Sequence, residues 1–185
     1  MATITFIRGA RRSKGVALNQ MKWWSSESVR NLKFGVTRFV ACASLSGILT
    51  FAIASAIAEI CTKLGLIVDS DIFYVSKGLV GDIVLGIGLA PITETFALFL
   101  LIKVFKKLTT NSWVAVLGTA LIFSALHSIS GFMWGVVIFV PFIAFTAVLW
   151  QGLKINYRVA LMASAGMHAV HNTLALLVFH FSTSI

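Results

Sequence analysis

Five side chains that can do chemistry lie inside segments that are otherwise apolar: Glu94, His127, His168, His171 and Asn172. Glu94 is the one carboxylate in the run APITETFALF. An ionisable group at the centre of a bilayer costs about 2.5–3.5 kcal/mol on insertion scales, so such groups usually face the inside of a helix bundle and serve a function. A carboxylate and imidazoles can activate water, hold a metal ion or relay protons. These residues therefore predict a polar functional site within an apolar protein.

The spacing of these residues favours one shared site. Residues four apart lie on one face of a helix, which pairs His168 with Asn172 and Phe123 with His127. His171 lies three residues after His168, at the edge of the same face. We expect His171 either to join the site or to form a hydrogen bond with a neighbouring helix.

The elements that must position these side chains are membrane-spanning helices. The chain has 185 residues, of which 58% are hydrophobic and 11% are charged, and its mean hydropathy is +0.95. A soluble protein is about 45–50% apolar and about 25% charged. The composition therefore indicates an integral membrane protein. Because an open backbone cannot satisfy its hydrogen bonds in lipid, an all-α fold is expected.

Five apolar stretches are long enough, at about 20 residues, to cross a hydrocarbon core of about 30 Å as helices. They are Phe39–Ile60, Leu79–Phe105, Ser112–Ser130, Phe132–Leu149 and Tyr157–Phe181. We therefore predict a polytopic helical membrane protein with about five transmembrane helices, whose residues 39–185 form a single domain. Residues 1–38 are predicted to form a basic arm that lies in the cytoplasm or at the membrane surface.

The polar side chains are predicted to lie at similar depths in the membrane. Glu94 is eleven residues from Phe105, and His168 is eleven residues from Tyr157. At a rise of about 1.5 Å per residue, both lie about 16 Å from the cytoplasmic ends of their helices, and His127 lies about 22 Å from the same side. Three helices therefore deliver polar groups to one layer near the membrane centre.

Basic residues predict the orientation of the helices. Eight of the 15 Lys and Arg residues precede Phe39, and positively charged flanks mark the cytoplasmic side of a membrane. Five further cations flank alternate connections: Lys103, Lys106, Lys107, Lys154 and Arg158. We therefore expect a cytoplasmic N-terminus and an external C-terminus in a bacterial inner membrane. An organelle transit peptide is a less favoured interpretation of the acid-poor arm. Topology and contact with the lipid bilayer account for the net charge of +9, so nucleic-acid binding is not expected.

The remaining charged groups near the predicted spans are expected to be structural. Glu59 lies near the end of the first span and can reach the interface. Asp82, near an outer end, is expected to be solvated, and His180 to be interfacial and inert. The residues Gly86, Gly88, Ala90 and Pro91 precede Glu94. Such residues permit close helix packing or a local departure from regular helix.

Three short motifs resemble those of a family of intramembrane proteases, the CAAX protease and bacteriocin-processing (CPBP) family. That family has a Glu-Glu pair followed by Arg (EExxxR), then FxxxH on the next helix, and HxxxN after one intervening helix. Here ETFALF begins at Glu94, FSALH runs from Phe123 to His127, and HAVHN runs from His168 to Asn172. The second to fifth predicted helices cover the core of that family.

Two positions depart from the first of these motifs. Thr95 replaces the second Glu and Phe99 replaces Arg, so the usual second carboxylate and its cationic partner are missing. Thr95, Phe123 and His171 are accessory candidates. Phe123 is expected to fix the rotamer of His127 by packing.

The resemblance implies an intramembrane endopeptidase that hydrolyses a peptide bond in a membrane-associated protein or peptide. Peptide hydrolysis needs an activated water and a group that stabilises the oxyanion. Glu94 and His127 are expected to activate the water, and His168 and Asn172 to stabilise the oxyanion. The substrate itself and the oligomeric state stay open.

The same side chains could also form a metal site. Glu94, His127 and His168 come from different predicted helices, and one carboxylate with two imidazoles is an acceptable zinc-ligand set with a position left for water. We therefore expect either no cofactor or a divalent metal such as zinc.

Two other classes of function remain as alternatives. The first is a non-catalytic relative, an immunity or partner-binding protein that kept the fold while the first motif decayed, which Thr95 and Phe99 favour. The second is a proton or metal-ion transporter, because Glu and His relays near the membrane centre also serve transport. Transporters often contain inverted repeats, and none is evident in this sequence.

Overall fold

The computed structural model describes residues 26–66 and 78–182. Residues 1–25 of the predicted arm and the connection at residues 67–77 lie outside the described residues. The rest of the predicted arm, residues 26–38, is helical and continuous with the first predicted span in the helix Ser26–Lys63. By its internal contacts the chain divides into two compact units, Met1–Arg38 and Phe39–Ile185. All of the predicted site residues belong to the second unit.

The described residues form helices and connecting turns, with no strand among them. This confirms the predicted all-α polytopic membrane fold. The helices, in chain order, are α1 (Ser26–Lys63), α2 (Leu79–Asp82), the π-helix π1 (Ile83–Leu89), α3 (Ala90–Leu108), α4 (Ser112–His127), α5 (Phe132–Gly152) and α6 (Tyr157–Ser182). The elements α2, π1 and α3 follow one another without a break and form a single rod, Leu79–Leu108.

Four of the five predicted spans are helices long and apolar enough to cross a membrane. The third predicted span is shorter than expected, because α4 has 16 residues and ends at His127. Its length is about 24 Å at 1.5 Å per residue. Asn111 begins the helix, since its side chain accepts hydrogen bonds from the backbone N–H groups of Trp113 and Val114.

The core lies where α3, α4, α5 and α6 meet. It consists of buried apolar side chains from all four helices: Leu98, Phe99, Ile102, Ala120, Phe123, Ile138, Phe142, Phe145, Leu149, Ala160 and Met167. The helices also exchange hydrogen bonds, as where the Ser164 hydroxyl donates to the Phe145 carbonyl over 3.0 Å. Many large apolar side chains remain exposed on the outer faces of the helices, as expected of surfaces that contact lipid.

Helix α1 approaches α6 through small residues. A Cβ on Gly47 would lie 2.9 Å from Val170 Cβ and 3.1 Å from the backbone nitrogen of His171. A Cβ added to Gly166 on α6 would likewise meet the Ser44 side chain. Close packing of this kind, through residues without bulky side chains, is typical of helices in membranes.

One of the structural expectations for charged residues is wrong. Asp82 is 2% exposed and is not solvated, because the last turns of α6 pass beside α2. His180 on α6 contacts it, with Nε2 3.2 Å from Asp82 Oδ2. Glu59 behaves as expected: it is exposed and forms an ion pair of 3.0 Å with Lys63.

Candidate functional site

The carboxylate of Glu94 lies between two imidazole rings. Its Oε2 is 3.9 Å from His127 Nε2 and 3.8 Å from His168 Nε2. The three side chains come from α3, α4 and α6. The structure therefore brings together three groups that the sequence predicts to lie at similar depths in the membrane. A carboxylate and two imidazoles at this spacing can share protons and can hold a small polar molecule between them.

His127 is held by the backbone of its own helix. Its Nδ1 lies 2.9 Å from the carbonyl oxygen of Phe123. A carbonyl oxygen can only accept a hydrogen bond, so Nδ1 carries the proton and, in the neutral ring, Nε2 presents a lone pair towards Glu94. The ring packs on Phe142, with centroids 5.1 Å apart. Phe123 also packs on Phe142, at 5.2 Å, so it supports His127 through both its carbonyl group and this shared neighbour.

His168 forms the buried side of the site. Its ring stacks on Phe145 and meets Phe142 edge-on, with centroids 6.0 Å apart. Its Nδ1 is buried and has no hydrogen-bond partner among the described residues. The tautomer of His168 is therefore not fixed by a hydrogen bond at Nδ1. In the tautomer that carries its proton on Nε2, this nitrogen can donate to Glu94 or to a ligand.

His171 is directed away from Glu94, towards α1. Its Nδ1 lies 3.1 Å from the Thr50 hydroxyl, and that hydroxyl donates its own proton to the Gly47 carbonyl over 2.9 Å. The hydroxyl therefore accepts from His171 Nδ1. Of the two expectations for His171, the hydrogen bond with a neighbouring helix is the one observed.

Asn172 contacts backbone rather than the carboxylate. Its Nδ2 donates a hydrogen bond of 2.8 Å to the carbonyl oxygen of Gly86 in π1. Of the two interpretations of Gly86, Gly88, Ala90 and Pro91, a local departure from regular helix is observed, as the π-helix π1. The role of Asn172 at an oxyanion stays a prediction.

The two positions that depart from the first motif are packed into the core. Thr95 is buried, and its hydroxyl has no hydrogen-bond partner among the described residues. Phe99 is also buried, and Lys103 Nζ lies 4.4 Å from the centre of its ring. The nearest cation on this helix is therefore placed one turn beyond the position of the family's Arg, against an aromatic face.

The site is more exposed at Glu94 and His127 than at His168. About a quarter of the Glu94 and His127 side chains remains exposed, at 26% and 27%, whereas His168 is 6% exposed. A molecule that enters therefore meets Glu94 and His127 first and has His168 behind them.

The metal hypothesis receives no geometric support. Within residues 26–66 and 78–182, no group of three His, Cys, Asp or Glu side chains is arranged to hold a metal ion. Glu94, His127 and His168 have suitable donor chemistry, but their present placement does not fit a metal ion, and no step of the chemistry is assigned to one.

The aromatic walls of the site are what reasoning from the sequence misses. Phe142 and Phe145 each pack on His168. They lie three apart, on one side of a helix in which most residues are apolar. Thr146, four residues after Phe142, is a polar residue on the same side, but a single threonine does not indicate a site.

Comparison of the chain with protein-family models, with curated proteins and with solved structures finds no match. The likeness to CPBP proteases therefore rests on the three motifs alone.

Proposed function

We propose that the chain is an intramembrane endopeptidase that hydrolyses a peptide bond in a membrane-associated protein or peptide. The observation that carries the proposal is the position of Glu94, whose Oε2 lies 3.9 Å from His127 Nε2 and 3.8 Å from His168 Nε2. Direct hydrogen bonds are shorter than about 3.5 Å, and polar groups slightly further apart are often bridged by water. The spacing suits a water held by the carboxylate and an imidazole.

The proposed reaction begins with that water. Glu94 removes one proton as the water oxygen attacks the carbonyl carbon of the scissile peptide bond. His127 Nε2 accepts a hydrogen bond from the water and orients it, which the proton on Nδ1 makes possible. The carbonyl π electrons move to oxygen, and the resulting oxyanion is stabilised by the N–H of His168 Nε2. Glu94 then gives its proton to the leaving amine as the C–N bond breaks.

A non-catalytic, partner-binding protein is the second candidate. It is favoured by the burial of Thr95 and Phe99, because core packing occupies the positions of the family's second Glu and Arg. A protein of this class would use the same surface for binding without cleavage. A proton or metal-ion transporter remains a third proposal with less support, because its evidence is the chemistry of Glu and His alone.

The test is cleavage of candidate membrane substrates by the wild-type chain and by Glu94→Gln, co-expressed and compared at equal membrane levels. Glu59→Gln is the matched control, since Glu59 is an exposed carboxylate on α1, which contributes none of the three site residues, and it pairs with Lys63 in the same helix. We expect product from the wild type and from Glu59→Gln but not from Glu94→Gln. A biological activity that survives Glu94→Gln would instead establish the partner-binding alternative. A pH- or metal-dependent flux without cleavage would indicate transport.

A further inference from the structure

The helical rod that carries Glu94 changes its hydrogen-bond pattern just before this residue. At the end of π1 the backbone N–H of Ala90 donates to the carbonyl of Leu85. This bond spans five residues, whereas an α-helical bond spans four. The π-helix therefore takes up more residues in each turn than the α-helix on either side.

This pattern leaves one carbonyl group without its usual backbone partner. After the bond from Ala90 to Leu85, the next bond of the same kind would join the N–H of residue 91 to the carbonyl of Gly86. Residue 91 is Pro91, which is buried and has no N–H. The Ala90 N–H, which an α-helical pattern would give to Gly86, is already donated to Leu85. A carbonyl group within a membrane span needs another donor, because lipid offers none.

Asn172 supplies that donor from another helix. Its Nδ2 lies 2.8 Å from the Gly86 carbonyl oxygen. Asn172 is one helical turn beyond His168 on α6, and Gly86 is about two turns before Glu94 on the rod. The hydrogen bond therefore joins the two helices whose side chains meet at Glu94 and His168.

We propose that Asn172 is a positioning residue, which holds the π-helical register of π1 by satisfying the carbonyl group that Pro91 leaves unpaired. Loss of the π-turn would shift the register by one residue, and one residue is about 100° of rotation in an α-helix. Such a rotation would turn Glu94 away from His127 and His168. The role of Asn172 in holding π1 is inferred from its hydrogen bond to Gly86. The effect of this role on cleavage rests on the proposed function.

The experiment is hydrogen exchange of the backbone amides at residues 83–90, measured by mass spectrometry on the full chain in lipid nanodiscs. Four forms are compared: wild type, Asn172→Leu, Pro91→Ala and the double variant. Leu has nearly the shape of Asn but donates nothing. We expect Asn172→Leu to speed exchange in this segment at least tenfold. Thr173→Val is the matched control, because Thr173 donates within its own helix to the Ala169 carbonyl, and it should leave exchange unchanged.

The double variant gives the decisive comparison. Pro91→Ala restores an N–H at residue 91, so the Gly86 carbonyl regains a donor within its own helix. Exchange in the double variant should therefore match that of Pro91→Ala alone. Unchanged exchange in Asn172→Leu, or exchange in the double variant as fast as in Asn172→Leu alone, would overturn the proposal. If Asn172→Leu does not accumulate in the membrane, recovery of folded protein on adding Pro91→Ala supports it, and failure to recover overturns it.

Cleavage measured on the same forms separates positioning from direct catalysis. With the positioning role, the double variant cleaves as well as Pro91→Ala alone. Cleavage by Pro91→Ala that disappears in the double variant would make Asn172 an oxyanion donor and overturn the assignment. Absence of cleavage in the wild type would count against the proposed function and leave the exchange result to decide the role of Asn172.

Discussion

The ring of Phe145 lies nearly flat against the ring of His168, with centroids 4.5 Å apart and an interplanar angle of 23°. Stacking of this kind contributes about 0.5–1.5 kcal/mol beyond burial. Because the Nδ1 of His168 makes no hydrogen bond to the described residues, the aromatic contact is what restrains rotation of this ring. Phe145 therefore connects the packing of α5 to the geometry at Glu94.

We predict that Phe145→Leu lowers cleavage about tenfold, which corresponds to about 1.4 kcal/mol in the transition state. The substitution keeps an apolar side chain in the core but removes the flat surface against His168. Melting temperature and initial cleavage rate are the measurements. Phe96→Leu is the control, because Phe96 lies exposed on α3. Equal losses in the two variants would show that the stacking has no special role.

His127→Ala is expected to abolish most cleavage while the protein still folds. A positioned acid or base contributes about 10²–10⁴-fold to a rate, and a loss within this range is expected. Folding should survive because His127 is the last residue of α4, is partly exposed, and makes its hydrogen bond within its own helix. Thermal melting and cleavage are measured beside Leu126→Ala, an exposed neighbour. Retained cleavage in His127→Ala would contradict the role given to this ring.

Asp82 and His180 should contribute measurably to stability. Their side chains meet at 3.2 Å and join α2 to α6, and Asp82 is buried. Weakening the hydrogen bonding of a buried polar group costs about 1–3 kcal/mol. We therefore expect His180→Leu to lower the free energy of unfolding by this amount in a denaturant titration.

The exposed pair of Glu59 and Lys63 provides the comparison for that measurement. Exposed ion pairs contribute about 0–1 kcal/mol, so Glu59→Gln should have little effect. A double-mutant cycle with Asp82→Asn and His180→Leu isolates the coupling between the two side chains. A coupling near zero would show that the contact does not stabilise the fold.

Gly47 is expected to tolerate no larger side chain. Its Cβ would meet α6 backbone atoms beside Met167 and His171, so Gly47→Leu should separate α1 from α6. Overpacking of a close contact typically costs about 1–3 kcal/mol. Folded yield and melting temperature are the measurements, with Gly35→Ala as the control, because a Cβ there meets nothing within 4 Å. A normal melting temperature for Gly47→Leu would show that α1 packs differently.

The sequence alone predicts the helices and the polar layer, because both depend on local properties. Length and hydropathy locate each helix, and rise per residue places Glu94, His127 and His168 at similar depths. The direction of each side chain around its helix is less predictable. The π-turn before Glu94 and the contact of Asn172 with Gly86 both depend on this direction.

Pairs formed between distant helices are equally hidden from the sequence. Asp82 and His180 are 98 residues apart, and each alone has the features of an interfacial residue. His171 could be placed on the edge of the site face but not assigned to Thr50. Contacts of this kind depend on how the helices pack, which a pattern within one helix does not specify.

The proposed hydrolysis consumes water, which must reach Glu94. The short length of α4 bears on the route that this water takes. A helix of 16 residues is about 24 Å long, which is less than the thickness of about 30 Å of a typical hydrocarbon layer. Lipids accommodate such hydrophobic mismatch by thinning around the shorter segment. His127 ends this helix, and the turn that follows contains Ser128 and Ser130. We therefore expect the bilayer to be thinnest beside His127, so that bulk water lies closer to Glu94 from this side than from any other.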